Sequence, residues 1–201
     1  MTDEASRLAR AIAAIDAANA DDPETIDVDG QTRPKEQAHA EMMTAWVQRL
    51  DPDATEAQLL AARAHHLRRW SIPRASYPDG RSGYLRWRTA LKKQHATDVA
   101  AILGREGYAP AVVERVQQIV RKDGLGSDPM VQVHEDALCL VFLETQLDDL
   151  AARLGDDKAV DVIRKTVVKM SDGGITAALA LDLSSHAISL VERAMAPVEK
   201  S

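Results

Sequence analysis

The sequence predicts an all-α fold: one globular domain built from many helices. Three observations predict it. Aromatic residues are 3 % of the 201-residue chain and Phe142 is its sole phenylalanine, so the core must be Leu, Val, Ile, Ala and Met. Chains rich in Ala and Leu favour helix. Apolar residues recur at intervals of three and four, the spacing of one helix face, and no apolar–polar alternation runs long enough to predict a strand. No internal repeat is present.

The elements follow in order. Residues 3–20 read as a helix with an apolar stripe through Leu8, Ile12 and Ile15. A polar stretch over about 21–34, with DDPET and DGQ as turn signals, reads as a long exposed loop. A helix over 35–50 carries Met42, Met43, Trp46 and Leu50 at helical spacing. DPDAT is a stop and restart, in which Thr55 and Gln58 form a capping box for a helix to about Arg69. Residues 71–82 hold Pro73, Pro78 and the Asp79-Gly80 turn signal, and read as irregular. A long helix over 83–103 ends at Gly104 and Gly107, and Pro110 fits the first turn of a helix to about Lys122. After the break KDGLGSDP, Asp128 and Pro129 cap and open a helix to Leu154, ended by Gly155. The last two helices read as 157–170 and 184–194, with Ser171-Asp172-Gly173-Gly174 as a break.

The composition is that of an ordinary globular protein, with 45 % apolar and 28 % charged residues. The single cysteine, Cys139, excludes an internal disulfide and a cysteine-based zinc site, and its apolar run 137–143 predicts a buried, inert thiol. That run is too short to span a bilayer, and Asp3 and Glu4 open a stretch with no long apolar core, so a soluble, cytoplasmic protein without a membrane partner is expected. The net charge is −6, yet Arg63 to Lys93 holds seven Arg and two Lys against Asp79. An acidic chain that gathers its bases in one stretch points to an anionic partner, against the alternative of a solvated basic face.

No glycine-rich phosphate loop, HExxH motif or nucleophile elbow is present. What remains is a set of helical histidines and acids. His39, then His66, then Asp136 on the most apolar helix resembles the order of the HD-type metal phosphohydrolases, which are also all-helical. That resemblance implies a diverged HD-like bundle with a divalent metal held by His39, His66 and Asp136. Imidazoles and a carboxylate from separate helices suit such an ion, which makes a nucleophile of bound water. The pattern departs where Leu67, not Asp, follows His66, leaving Glu135 or Glu36 as the substitute. The other reading has these histidines pair with nearby acids or end helices. Glu135 and Asp136 begin an apolar helix, where a carboxylate needs a partner. In the basic segment, Arg69, Arg74, Arg81 and Arg88 offer planar forks for phosphate, and Trp70, Tyr77 and Tyr84 interleave with them. The alternative role of Trp70 and Trp87 is to anchor the core.

The motifs HLRRWSIPRASYP, GRSGYLRWRTALKKQHA and HEDALCLVFLE closely resemble the uncharacterised family catalogued as domain of unknown function 4202. The likeness runs from about the first helix through RKTVVKMS. It implies a single helical domain and no particular activity. It singles out His66, Arg69, Trp70, Pro73, Arg74, Tyr77, Arg81, Tyr84, Trp87, Arg88, His95, Glu135, Asp136 and Glu144 as one site.

The expected function is a metal-dependent phosphohydrolase of a phosphorylated small molecule or nucleotide. His39, His66 and Asp136 are the expected metal ligands, with Glu135 and His95 as catalytic groups. Arg69, Trp70, Arg74, Tyr77, Arg81, Tyr84 and Arg88 are the expected substrate contacts. The competing expectation is a non-catalytic module that binds an anion or RNA through residues 63–95.

Overall fold

Local signals in the sequence set most helix ends, and tertiary packing sets the rest. The structure, a computed structural model, describes residues 3–28 and 30–196. Helix α1 spans Asp3–Asn19 and α2 spans Lys35–Leu50. Between them lies a hairpin rather than the expected loop: β1 (Thr25–Val28) pairs antiparallel with β2 (Gln31–Pro34), Thr25 facing Pro34 and Val28 facing Gln31. Gly30, at φ 74°, supplies the left-handed turn residue that such a tight connection favours. Strands of four residues are too short for alternation to show, and the pair is held in part by Lys35, whose N–H donates to Glu24 O at 2.9 Å.

Helix α3 (Glu56–Arg63) begins with the expected capping box, the Thr55 hydroxyl accepting the Gln58 N–H while the Gln58 side chain accepts the Thr55 N–H. It ends earlier than its periodicity suggests. Beyond Ala64 the chain turns, passes through Arg68 at φ 52°, and makes two 3₁₀ turns, Arg69–Ser71 and Arg74–Ser76. Asn19 fixes this exit: its side-chain oxygen accepts the Arg68 N–H at 3.0 Å.

Helix α4 (Gly80–Arg105) starts three residues before its expected start, and Gly107 at φ 76° ends the turn that follows it. Helix α5 (Pro110–Arg121) opens on proline, as read. Helix α6 (Pro129–Leu154) is capped by Asp128, which accepts the Met130 N–H and forms a bidentate pair with Arg115 at 2.5 and 2.8 Å. Helix α7 spans Asp156–Val167, and α9 spans Ser185–Met195. Between them the expected break is a short helix, α8 (Asp172–Leu179), with Ser171 as its cap.

Among the described residues, three apolar clusters hold the domain. The first joins Ile15 of α1, Leu60 of α3, Val99 and Leu103 of α4, Ile119 of α5 and Val131 at the start of α6. A second joins Leu140, Leu143 and Leu147 of α6 to Ile163 of α7, Ala178 of α8 and Leu190 of α9. The third places Met43 and Val47 of α2 against Ala137 and Val141 of α6. Helix α6 thus enters every cluster, and its first turns lie beside α2, α3 and α5. Among the described residues, no helix is long and apolar enough to cross a membrane.

Candidate functional site

Where these helices meet, polar groups enter a narrow cleft with a free volume of about 30 Å³, room for about one water molecule, so a larger ligand needs its side-chain walls to move apart. Four imidazoles and four cations line it: His65 and His66 from the turn after α3, Arg69 from the first 3₁₀ turn, Arg88, Lys92 and His95 from α4, Lys122 after α5, and His134 from α6. The exit of α3 puts consecutive histidines on one wall, their rings stacked with centroids 4.2 Å apart. The spacing Arg88, Lys92, His95 is one face of α4.

The hydrogen bonds fix most tautomers. His65 Nδ1 lies 3.2 Å from Ala62 O, and His95 Nδ1 lies 2.8 Å from Leu67 O. A carbonyl only accepts, so each Nδ1 carries the proton and each Nε2 presents a lone pair. Both Nε2 atoms are buried and, among the described residues, without a hydrogen-bond partner. His66 Nδ1 donates to Glu36 Oε2 at 3.1 Å, and Arg69 lies 3.5 Å from its Nε2. Nδ1 of His134 is buried and also has no hydrogen-bond partner among the described residues.

Burial disfavours the charged imidazole, and cationic neighbours add to it. His66 is pushed down to about 3, against the opposing pull of Glu36. His95 is pushed down to about 4. His134 is pushed down to about 3, with Lys122 contributing. His65 is lowered well below its ordinary value by burial, with the adjoining His66 adding to it. At neutral pH the imidazoles are therefore neutral. Burial alone would raise the Glu36 carboxyl, but the adjoining His66, His39 and His65 together hold it well below the usual carboxylate range.

A carboxylate oxygen of Glu36 and one ring nitrogen each of His65 and His66 lie within 4.8 Å of one another. An ionised carboxylate beside neutral imidazoles is the donor set that a divalent first-row ion takes. The orphaned Nε2 of His65 fits that use. His66 fits only through Nε2, because Nδ1 serves Glu36.

The expected trio of His39, His66 and Asp136 is not brought together. His39 stands behind Glu36, its Nδ1 3.9 Å from Glu36 Oε2 and its Nε2 3.3 Å from Thr145 Oγ1. Asp136 is turned away to Ser171 and Gln132, which supply the donors a buried carboxylate needs. Glu135 pairs with buried Lys122 and, at 3.8 Å, with Lys169. Glu144 accepts Trp46 Nε1–H at 2.9 Å.

The basic segment divides. Arg69 and Arg88 reach the cleft, and Arg69 packs over the Trp87 ring at 4.8 Å. Arg74 donates to Tyr77 O and Pro78 O, so its fork holds its own loop. Trp87 Nε1–H donates to Ile72 O at 2.8 Å and anchors the same loop. Trp70 and Tyr77 are half-buried outside the cleft, and Arg81 and Tyr84 are exposed. Sequence reading missed His134, Lys92 and Lys122 as cleft residues. Lys92 had a signal, one helical turn beyond Arg88, whereas Lys122 and His134 had none that is local.

The family model described as a domain of unknown function (DUF4202) matches residues 9–191. The chain belongs to this family. No curated protein and no solved structure matches it. Membership in DUF4202 covers every element that lines the cleft.

Proposed function

We propose that the protein is a metal-dependent phosphohydrolase acting on a phosphorylated small molecule or nucleotide. One observation carries this reading: His65 and His66, whose ring nitrogens group with the buried Glu36 carboxylate, line the same cleft as Arg69 and Arg88. The reading keeps the chemistry of the HD-type hydrolases and changes the ligand set. Glu36, His65 and His66 would hold the ion, and a divalent ion there lowers the pKa of water.

The chain's own groups divide the remaining work. Arg69 and Arg88 neutralise and orient the phosphate oxygens. Hydrolysis adds water to phosphorus, breaks the ester P–O bond and leaves a proton to move to the departing oxygen. His95 Nε2 is suited to carry that proton, since Nδ1–H is fixed on Leu67 O and the ring cannot swap tautomers freely. An anion in the cleft raises the affinity of that nitrogen for a proton. His39 orients Glu36 from behind.

The test is elemental analysis of the purified protein together with hydrolysis of a panel of phosphomonoesters. Bound Mn, Fe, Ni or Zn that is lost in Glu36→Gln and His66→Ala, with activity lost alongside, is the expected result. Metal-free protein that hydrolyses nothing after reconstitution overturns it.

A second reading rests on a different observation. Among the described residues, Arg68, Arg81, Arg86, Arg88, Lys92 and Lys93 form no ion pair, while Arg33, Arg63, Arg115 and Arg193 all do. Exposed Tyr84 and Leu85 lie among them. A module that binds RNA by this face would lose affinity steeply as salt rises. Binding that ignores salt removes that reading.

A further inference from the structure

Lys122 stands at a place where the backbone favours another residue. It follows the last residue of α5 with φ 62°, the left-handed conformation that glycine adopts most easily. Gly124 comes two positions too late to serve. A non-glycine residue there carries strain, and such strain gathers at functional sites. The side chain of Lys122 is 10 % exposed, lines the cleft, and pairs with the buried carboxylate of Glu135.

The charge around that pair does not balance. Lys169 lies 3.8 Å from Glu135, Lys92 is close enough to act electrostatically on Glu135, and Arg88 is close enough to act on Lys92 and Lys122. Lys122, Lys169 and Lys92 thus share Glu135, Arg88 adds a further cation beside Lys92 and Lys122, and Asp123 is the other acid that acts on Lys92. Asp136 is engaged by Ser171. A surplus of positive charge in a partly buried cleft is costly unless an anion offsets it.

His134 completes the wall. Its residue is 2 % exposed, and no hydrogen bond among the described residues fixes which ring nitrogen carries the proton. His65 and His95 are locked by carbonyls into presenting lone pairs, which suit a cation. His134 is free to present an N–H, which suits an oxyanion.

We propose that Lys122, His134, Lys92 and Arg88 form an oxyanion subsite that takes the terminal phosphate of a phosphomonoester. A terminal phosphate is doubly charged near neutral pH and matches the cationic surplus. A diester carries one charge and needs an exit for two substituents. The subsite deepens the hydrolase reading by naming its substrate class, and in that respect rests on it, but anion binding here needs no metal.

The experiment is isothermal titration calorimetry on the full chain after chelator treatment, with inorganic phosphate, methyl phosphate and dimethyl phosphate as probes. Phosphate and methyl phosphate are expected to bind, and dimethyl phosphate at least tenfold more weakly. The double variant Lys122→Met/Glu135→Gln removes both charges of the buried pair together, leaves only the half-exposed Lys169 without Glu135, and should weaken phosphate at least tenfold. Lys92→Met and His134→Phe should each weaken it severalfold, while Lys158→Met, on the exposed side of α7, should leave it unchanged. No binding to the wild-type protein, equal binding of the diester, or wild-type affinity in the double variant overturns the subsite. Phosphate binding in a protein that takes up no metal sinks the hydrolase reading and leaves the subsite standing. Metal uptake without phosphate binding does the reverse.

Discussion

The carboxylate of Asp136 accepts the backbone N–H of Ser171 at 2.9 Å and its hydroxyl at 2.5 Å. Ser171 Oγ in turn accepts the Gly174 N–H at 3.1 Å. The charge at the heart of α6 therefore secures the first turn of α8. Asp136→Ala strands both donors of Ser171, and should destabilise the protein by roughly 2–4 kcal/mol in urea denaturation. Its metal content should match that of the wild type. Loss of metal with full stability would show that Asp136 serves the cleft instead.

Acid should unfold the protein early. The imidazoles of His95 and His134 are held down to about 4 and about 3 in the fold, against about 6.5 in the unfolded chain. The unfolded state binds more protons between those values, so stability is full above about pH 6.5 and falls as pH drops toward 4. Each ring contributes roughly 2 kcal/mol of loss by pH 5. Melting temperatures followed by circular dichroism from pH 7.5 to 4.5 should fall, and should fall less in His134→Phe. A flat profile would mean that the folded rings take up protons as readily as the unfolded ones.

Two glycines of α4 should behave oppositely. A Cβ at Gly83 would sit 1.8 Å from Pro78 O, a backbone atom that cannot give way. Gly83→Ala should cost at least about 2 kcal/mol. At Gly104 an added Cβ meets nothing within 4 Å, and the residue is helical. Gly104→Ala should stabilise by about 0.5–1 kcal/mol. Thermal unfolding of the two single variants measures both.

Cys139 should be silent toward alkylating reagents. It is 4 % exposed, and burial pushes its thiol up to about 12. At pH 8 iodoacetamide should leave the native protein unmodified and label it fully in urea, as read by intact mass. Rapid labelling of the native state would place the thiol at an open surface.

The helices were legible where the signal is local. Thr55 with Gln58, and Asp128 with Pro129, each set a helix start within a few residues of sequence, and both starts occur where they were read. α8 was not legible because Gly173 and Gly174 look like a break. A Cβ at Gly174 would come within 2.7 Å of the Asp136 carboxyl carbon, so the close approach of α6, not the local turn, accounts for the glycine. The site shows the same division. Sequence order placed His66, Arg69, Arg88 and His95 in one region, and they share one cleft. It could not show that Asp136 faces Ser171 or that Arg74 holds its own loop, because side-chain direction depends on partners distant in the chain. Lys122 reaches the cleft only because α5 ends in a left-handed residue, which no periodicity reveals.

The guanidinium of Arg69 lies 4.8 Å over the indole of Trp87 while also lining the cleft beside Glu36, 3.6 Å from its carboxylate. An indole is a light-emitting group whose yield and colour follow the charge near its ring. A ligand that draws Arg69 toward itself alters the emission of Trp87, and the difference between wild type and Trp87→Phe separates that change from Trp46 and Trp70. The protein thus carries its own optical reporter of whatever enters the cleft, and unlabelled compounds can be screened against it by fluorescence alone.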